Sequence, residues 1–389
     1  MLMNFPATII FWGCLSLLLY IYGGYSLILY LFSKIKPARH DVREDHTPTV
    51  TILFAARNER VSLPTKLESI RQLDYPKERL QILIASDQST DGTNEYLAQQ
   101  HDLDFVVLNR HAGKNAALNE LLPRATGELL FFTDANNLLH PHALRNAARH
   151  FADPSVGAVT GELIYTQDKE WNAVGRGTGL YWKYENWIKR SENRLGSVLV
   201  AAGSMLICRR EIMQPLDPRI ANDLEIPTRV GARGYQVLYD ADCVGFEKPH
   251  TVAWEEFHRT SRIVARGFRG FLVLFPILLA SPLRFWQFFS HKFLRWFTLA
   301  YCVLLFRSAW ILRDDWLPFL TVSVGIAVFL IAFTGIFMIQ REISSRWFRP
   351  CSLFAHLFIM NLAALWGIIL TLAGHAPATW TIPQSTRES

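Results

Sequence analysis

Residues 1–33 contain no Lys, Arg, Asp, Glu or His, and an apolar run of that length must be buried in something apolar. A bilayer-crossing helix needs about 20 mostly apolar residues, so Phe5 to Phe32 is long enough to span with tilt. Lys34, Lys36 and Arg39 follow it. A cleaved signal peptide carries its positive charge ahead of its apolar core, so residues 1–40 are expected to be an uncleaved N-terminal anchor. Positive charge behind the span places that side in the cytoplasm.

The other end of the chain has the same character. Phe293 to Leu312, Trp316 to Gln340 and Cys351 to Ala373 are further candidate spans, the first of them carrying Arg295 and Arg307. The acidic Arg313-Asp314-Asp315 connection and the basic one with Arg341, Arg346 and Arg349 alternate out and in, as the charge rule requires. Four spans are therefore expected, with membrane helices over 293–375 and a tail at 376–389. Residues 271–290 are apolar and aromatic, but Pro276, Pro282 and Arg284 interrupt them, so they are expected to lie in the membrane interface. The expected location is the cell (inner) membrane, multi-pass.

Between the two ends the charges are ordinary. With 19% charged and 13% aromatic residues, the chain is no disordered polymer. Cys14, Cys208, Cys243, Cys302 and Cys351 show neither disulfide-framework nor zinc spacing. A net charge of +6 fits anionic lipid, nucleic acid or a phosphorylated substrate. Because the basic clusters sit beside the membrane, nucleic acid is disfavoured as a partner.

From Thr47 to about 268 short β-branched runs alternate with helical ones. Strands are predicted at Thr49–Phe54, Leu80–Ala85, Phe105–Leu108 and Glu128–Phe132, and helices at Leu63–Leu73, Thr93–Gln100 and Asn115–Arg124. That alternation predicts an α/β domain with a mostly parallel sheet, whose ligands bind beyond the carboxyl ends of the strands. The polar residues there are Arg57-Asn58-Glu59, Asp87 to Gly92, Lys114 and Asp134-Ala135-Asn136. Asp91-Gly92 alone reads as a turn or helix cap. The set as a whole suits a nucleotide: carboxylates accept from base and ribose, and an acid with an amide can hold a divalent cation against a diphosphate.

The order Ala56-Arg57-Asn58-Glu59, Asp87-x-Ser89-Thr90-Asp91-Gly92, Gly113-Lys114-Asn115-Ala116-Ala117-Leu118-Asn119, Thr133-Asp134-Ala135-Asn136 resembles the nucleotide-binding half of family 2 glycosyltransferases. That family has a Rossmann-like GT-A fold, and the chain looks most like its membrane-bound synthases of poly-N-acetylglucosamine, chitin oligosaccharides or hyaluronan. The resemblance covers about Thr49 to Gly270. It implies that Glu59 and Asp87 contact the base and ribose of a nucleotide-sugar donor and that Lys114 lies near the nucleotide. Asp134 would be the first acid of an Asp-x-Asp motif for Mg²⁺ or Mn²⁺. Asn136 departs from the pattern: its amide can ligate but adds no charge, so weaker metal binding is expected.

In the second half, the resemblance makes Ala201-Ala202-Gly203-Ser204-Met205 the loop beneath the acceptor site, with Gly203 and Ser204 in contact with substrate. Asn222-Asp223-Leu224-Glu225 falls where the family keeps its catalytic acid. Inverting transfer to a hydroxyl needs a carboxylate to take its proton, and Asp223 is the choice, with Glu225 its rival. By residue type alone Asp223 also fits a helix cap or first-turn acid. Arg259, Arg262, Arg266 and Arg269 share one helical face. They suit either anionic lipid or a diphosphate clamp, for which Arg259 and Arg262 are the candidates. Ile263 follows Arg262 where processive relatives carry a tryptophan, which argues against processive synthesis.

The expected function is thus inverting transfer of a sugar, from a UDP-sugar, to a saccharide or lipid-linked acceptor at the cytoplasmic face. A polyprenyl-phosphate glycosyltransferase is the alternative within the class. A catalytically inactive nucleotide-binding scaffold, with export-complex proteins as partners, is the alternative outside it.

Overall fold

The computed structural model describes residues 5–35, 40–165, 173–196, 198–247, 253–341 and 349–375. The tail expected at 376–389 lies outside the described residues, as does most of the basic connection ending at Arg349.

The middle of the chain forms one eight-stranded sheet. Its strands are β1 (Val50–Ala56), β2 (Leu80–Ser86), β3 (Asp104–Val107), β4 (Leu129–Phe132), β5 (Leu138–Leu139), β6 (Val156–Tyr165), β7 (Leu206–Arg209) and β8 (Gln236–Glu247), in the spatial order β3-β2-β1-β4-β7-β6-β8-β5. The first half is parallel, as the alternation of strands and helices predicts. β7 runs antiparallel to both β4 and β6, while β6 and β8 are parallel to each other.

This topology decides what meets at the functional rim. The carboxyl ends of β1, β2, β3 and β4 lie side by side through the pairs Ala56↔Ser86, Ser86↔Val107 and Leu53↔Phe132. Because β7 is reversed, its start, Leu206, pairs with Phe132, so the loop before it joins the same rim. The carboxyl ends of β6 and β8 arrive there too, Tyr165 opposite Glu247.

Both faces of the sheet are covered, which is why β1 is buried throughout and, Thr51 apart, apolar rather than alternating. Ile52 and Phe54 pack with Leu63, Leu67 and Ile70 of the Leu63–Arg71 helix. Leu53 and Ala55 pack on the other side with Ala117, Leu118 and Leu121 of the Lys114–Leu121 helix. Each such Leu or Ile, fully buried, contributes about 1.5–3 kcal/mol.

Three helices are long and apolar enough to cross a membrane: Phe5–Ile35, Trp316–Met338 and Cys351–Leu372. The fourth expected span differs. Pro282–Trp296 and Thr298–Ile311 meet at a 63° bend and reach spanning length only together. The Phe5–Ile35 helix packs Phe11 and Cys14 against Leu305, Ala309 and Leu312.

The boundary expected between 268 and 271 falls inside one continuous helix, Ala253–Leu279. Its Phe271, Leu274 and Leu278 pack with Leu199, Ile220 and Leu224 of the sheet domain and with Phe288. Arg284 is buried and donates to the Pro227 carbonyl oxygen at 3.3 Å. One face of the 271–290 segment is therefore packed on the sheet domain, with Arg284 among its contacts, while Leu272, Val273, Leu279 and Leu283 stay exposed on it.

Candidate active site

After β1 and β2 the rim is built from two loops that brace each other. The Asn58 backbone N–H donates to Ser89 Oγ at 3.0 Å, and Asn58 Oδ1 accepts from the Thr90 N–H at 2.7 Å. The Glu59 N–H donates to Thr93 Oγ1 at 2.9 Å. Asp91 accepts from the backbone of Arg60 and Thr93, which is the turn and cap role expected of it. Asp87 is fully buried, and its carboxylate accepts from His111 Nδ1 at 2.7 Å and from the backbone N–H groups of Ala112 (2.8 Å) and Gly113 (2.9 Å). Gly113 permits this with φ +91°, a conformation costly for residues with a Cβ. Asp87 thus shapes the entry to the Lys114–Leu121 helix, while Glu59 sits partly exposed on the rim.

Lys114, first residue of that helix, crosses the crevice to ion-pair with Asp134 after β4. Beneath Asp134 lies Lys66, fully buried, donating to Thr133 Oγ1 and Asn137 Oδ1 at 2.8 Å each. Burial lowers its pKa to about 7. Asn136 is exposed, and its Nδ2 donates to Glu247 Oε1 at 3.4 Å. Burial pushes the Glu247 carboxyl up to about 7, against the pull of Arg259. Among the described residues no group of three or more His, Cys, Asp or Glu is placed to hold a metal ion. Asp134 and Asn136 do offer hard oxygen donors of the kind that hold Mg²⁺ or Mn²⁺ together with substrate phosphates, and the Lys114 ammonium already marks the position as one that accepts a cation.

The helix Asn222–Ala232 brings in both candidate bases. Glu225 is fully buried, pairs with Arg229 at 2.8 Å and accepts from the Asp217 N–H at 3.1 Å. It is committed to structure. Asp223 is partly exposed. Burial raises its pKa, while Arg266, Lys114, Lys292 and Lys189 pull it down through space. Among the described residues no side chain hydrogen-bonds its carboxylate. The Ala201 N–H donates to the Asp223 carbonyl oxygen at 2.9 Å, fastening the 201–205 loop to this helix. Gly203 lies against Asn222 and Asp223, and Ser204 is buried, its carbonyl accepting from Asn137 Nδ2 at 3.3 Å.

The arginines of the Ala253–Leu279 helix turn toward these groups. Arg259 pairs with Glu256 at 3.2 Å and also acts on Glu247. Arg262 acts on Asp134, and its pKa falls to about 10 through burial and the neighbouring Arg266 and Arg259. Arg266 donates to the Ile220 carbonyl oxygen at 2.6 Å and acts on Asp223.

Residues 51–216 match Glycosyl transferase family 2. The chain carries a family 2 glycosyltransferase domain. It is 26% identical over 249 residues to a beta-monoglucosyldiacylglycerol synthase of Nostoc sp., covering 60% of this chain and 52% of that protein. It is 27% identical over 233 residues to the poly-beta-1,6-N-acetyl-D-glucosamine synthase of Staphylococcus epidermidis, covering 57% and 56%. The match thus spans about half the length of these relatives. A mannosyltransferase of Pyrobaculum calidifontis, solved with GDP-Man and Mn²⁺, superposes with TM-score 0.69 at 21% identity, covering 92% of this chain and 97% of that one. The curled mixed sheet of the glycosyltransferase domain is a GT-A fold.

The rim of this domain draws Glu59, Asp87, Lys114, Asp134, Asn136, Gly203, Asp223, Arg259 and Arg262 from loops after the strands and from three helices, in segments some 200 residues apart in sequence. Two participants went unnoticed in the sequence. Lys66 had a signal: it falls on the apolar stripe of Leu63, Leu67 and Ile70, where a charge needs a partner. Glu247 had none, since only the pairing of β8 places it at the rim.

Proposed function

We propose that this protein is a membrane-bound inverting glycosyltransferase, moving a sugar from a UDP-sugar to a saccharide or lipid-linked acceptor at the cytoplasmic face of the cell membrane. The reading is carried by Asp223: a carboxylate at the rim, with a pKa raised by burial and set among Lys114, Arg266 and Lys189, beside a crevice holding Asp134 and Arg262. In this reading the acceptor oxygen bonds to the anomeric carbon as its proton passes to Asp223 and the bond to the diphosphate breaks, UDP leaving with the electron pair. Lys114, Arg259 and Arg262 bind the departing diphosphate. Asp134 and Asn136 would hold Mg²⁺ or Mn²⁺, which when bound offsets phosphate charge.

The test is to incubate detergent-solubilised full-length protein with UDP-, GDP- and TDP-sugars and measure nucleotide release with candidate acceptors. Release with UDP-sugars alone supports the reading; no release with any donor, despite UDP binding, supports the inactive scaffold.

One observation favours a second acceptor class. Lys189 and Lys292 both act on Asp223 while Lys292 is also paired with Glu185 at 2.7 Å, and cations near the base suit a lipid phosphate better than a neutral hydroxyl. A phosphate acceptor is ionised at neutral pH and needs no base, so Asp223→Asn would then spare most of the rate, and the product would extract into organic solvent as a lipid-linked monosaccharide.

A further inference from the structure

The Asp-x-Asn sequence lacks the second charge that a cation site of this kind uses, and the structure brings a carboxylate to that place from a distant strand. β5 pairs antiparallel with β8 through Leu138↔Phe246 and Leu139↔Gly245. Extending that register by one residue sets Glu247 against the Asp134–Asn137 turn, and Asn136 Nδ2 meets Glu247 Oε1 at 3.4 Å. Glu247 thus touches Asn136 and lies within electrostatic reach of Asp134, Lys114 and Arg259.

We infer that Glu247 is the second anionic ligand of the divalent cation, taking the part that a carboxylate at position 136 would otherwise play. The physical reason is charge count. One carboxylate and one amide leave the site with a single negative charge, whereas adding Glu247 gives two, and affinity for hard cations rises with ligand charge. The hydrogen bond from Asn136 holds the Glu247 carboxylate in place, so a neutral amide at 136 is an asset here: a carboxylate at both positions would repel across the same gap. The inference rests on the diphosphate chemistry proposed for this crevice and adds a ligand to it.

The experiment titrates Mn²⁺ into the detergent-solubilised full chain with UDP present and follows the free-ion signal by electron paramagnetic resonance. Asp134→Asn serves as the control that removes the motif's own acid. Glu247→Gln is expected to weaken Mn²⁺ binding by about tenfold or more, and the double substitution Glu247→Gln with Asn136→Asp is expected to restore it by returning the charge from the other side. Rescue by the double variant separates ligation from a purely structural role, which moving a charge would not repair. If Glu247→Gln keeps wild-type Mn²⁺ affinity while Asp134→Asn loses it, Glu247 is no ligand and the proposed transfer stands untouched. If wild-type protein binds UDP but no Mn²⁺, both this inference and the cation in the proposed reaction fall. Should Glu247→Gln not fold, Glu247→Asp carries the test: withdrawing the carboxylate by one methylene lowers Mn²⁺ affinity if it is a ligand, and wild-type affinity overturns the inference.

Discussion

Asp223 and Glu225 are two residues apart, yet burial and hydrogen bonding give them different surroundings. Glu225 is paired with Arg229 and with the Asp217 backbone, so Glu225→Gln is expected to lower thermal stability with kcat little changed. Asp223→Asn, with a hydroxyl acceptor, is expected to lower kcat by about 10²- to 10⁴-fold while UDP affinity, measured by calorimetry, persists. A general base works deprotonated, so the rate falls as pH drops through its pKa. Burial raises the pKa of Asp223 and Arg266 lowers it, so Arg266→Gln should move the acid limb of the pH–rate profile to higher pH. Lys66 behaves differently, because its titration is a stability matter. Its folded pKa is about 7, against about 10.4 for an exposed lysine. Between those values the unfolded chain holds the extra proton, so stability rises with pH across that window. Lys66→Met should flatten the rise, as read by unfolding temperature at pH 7 and pH 10.

At the scale of elements, the asparagines of the Gly113-to-Asn119 segment tie two parts of the rim together through backbone carbonyls. Asn115 Nδ2 donates to the Asp217 and Ile220 carbonyl oxygens at 2.9 Å each, and Asn119 Nδ2 to Leu216 at 2.8 Å. They fasten the loop before the Asn222–Ala232 helix to the helix that begins at Lys114, so one motif positions two functional groups. Asn115→Ala leaves two carbonyls without that donor and should cost about 1–3 kcal/mol of stability, seen in chemical denaturation. The arginine helix is set in a comparable way from the membrane side. A Cβ at Gly367, in the Arg349–Leu372 helix, would lie 2.4 Å from the Ser261 carbonyl oxygen, so Gly367→Ala must push the two helices apart. Overpacking of this kind costs about 1–3 kcal/mol. Because Ser261 adjoins Arg262, UDP affinity should fall along with the unfolding temperature.

For the whole molecule, the membrane helices and the glycosyltransferase domain are joined by a buried ionic cluster. Glu185 pairs with Lys292 at 2.7 Å, Arg295 at 2.6 Å and His291 at 3.2 Å, and His291 Nδ1 lies 3.3 Å from Glu192 Oε1, which also accepts from Tyr25 of the anchor at 3.2 Å. Removing one member of a buried pair costs about 3–5 kcal/mol, so Glu185→Gln should lower the unfolding temperature of the solubilised protein substantially and uncouple the bent Pro282–Ile311 segment from the Ala173–Arg194 helix. The proposed orientation has its own test. If the domain faces the cytoplasm, a tag at the N-terminus is reached by protease from outside intact cells, and inverted vesicles use added UDP-sugar without detergent; the opposite pattern would reverse the topology.

Much of this was legible in the order of residues, because the properties concerned are local. An uncharged run of spanning length and β-branched runs alternating with helical ones depend on neighbours within a turn or a strand, and from them came the N-terminal helix of spanning length, the parallel half of the sheet and the polar residues at its carboxyl ends. The roles proposed for Asp134 and Asp223 came through resemblance, which residue spacing alone could not have supplied. Three things waited on tertiary structure, each because it depends on pairing between distant segments. The reversal of β7 brings Gly203 and Asp223 to the rim that β1, β2 and β4 define. The 271–290 segment packs on the domain because Phe271, Leu274 and Leu278 meet Leu199, Ile220 and Leu224 there and Arg284 reaches the Pro227 carbonyl. Glu247 reaches Asn136 only because β8 pairs with β5 in one register, and a shift of one residue would turn its side chain to the other face of the sheet.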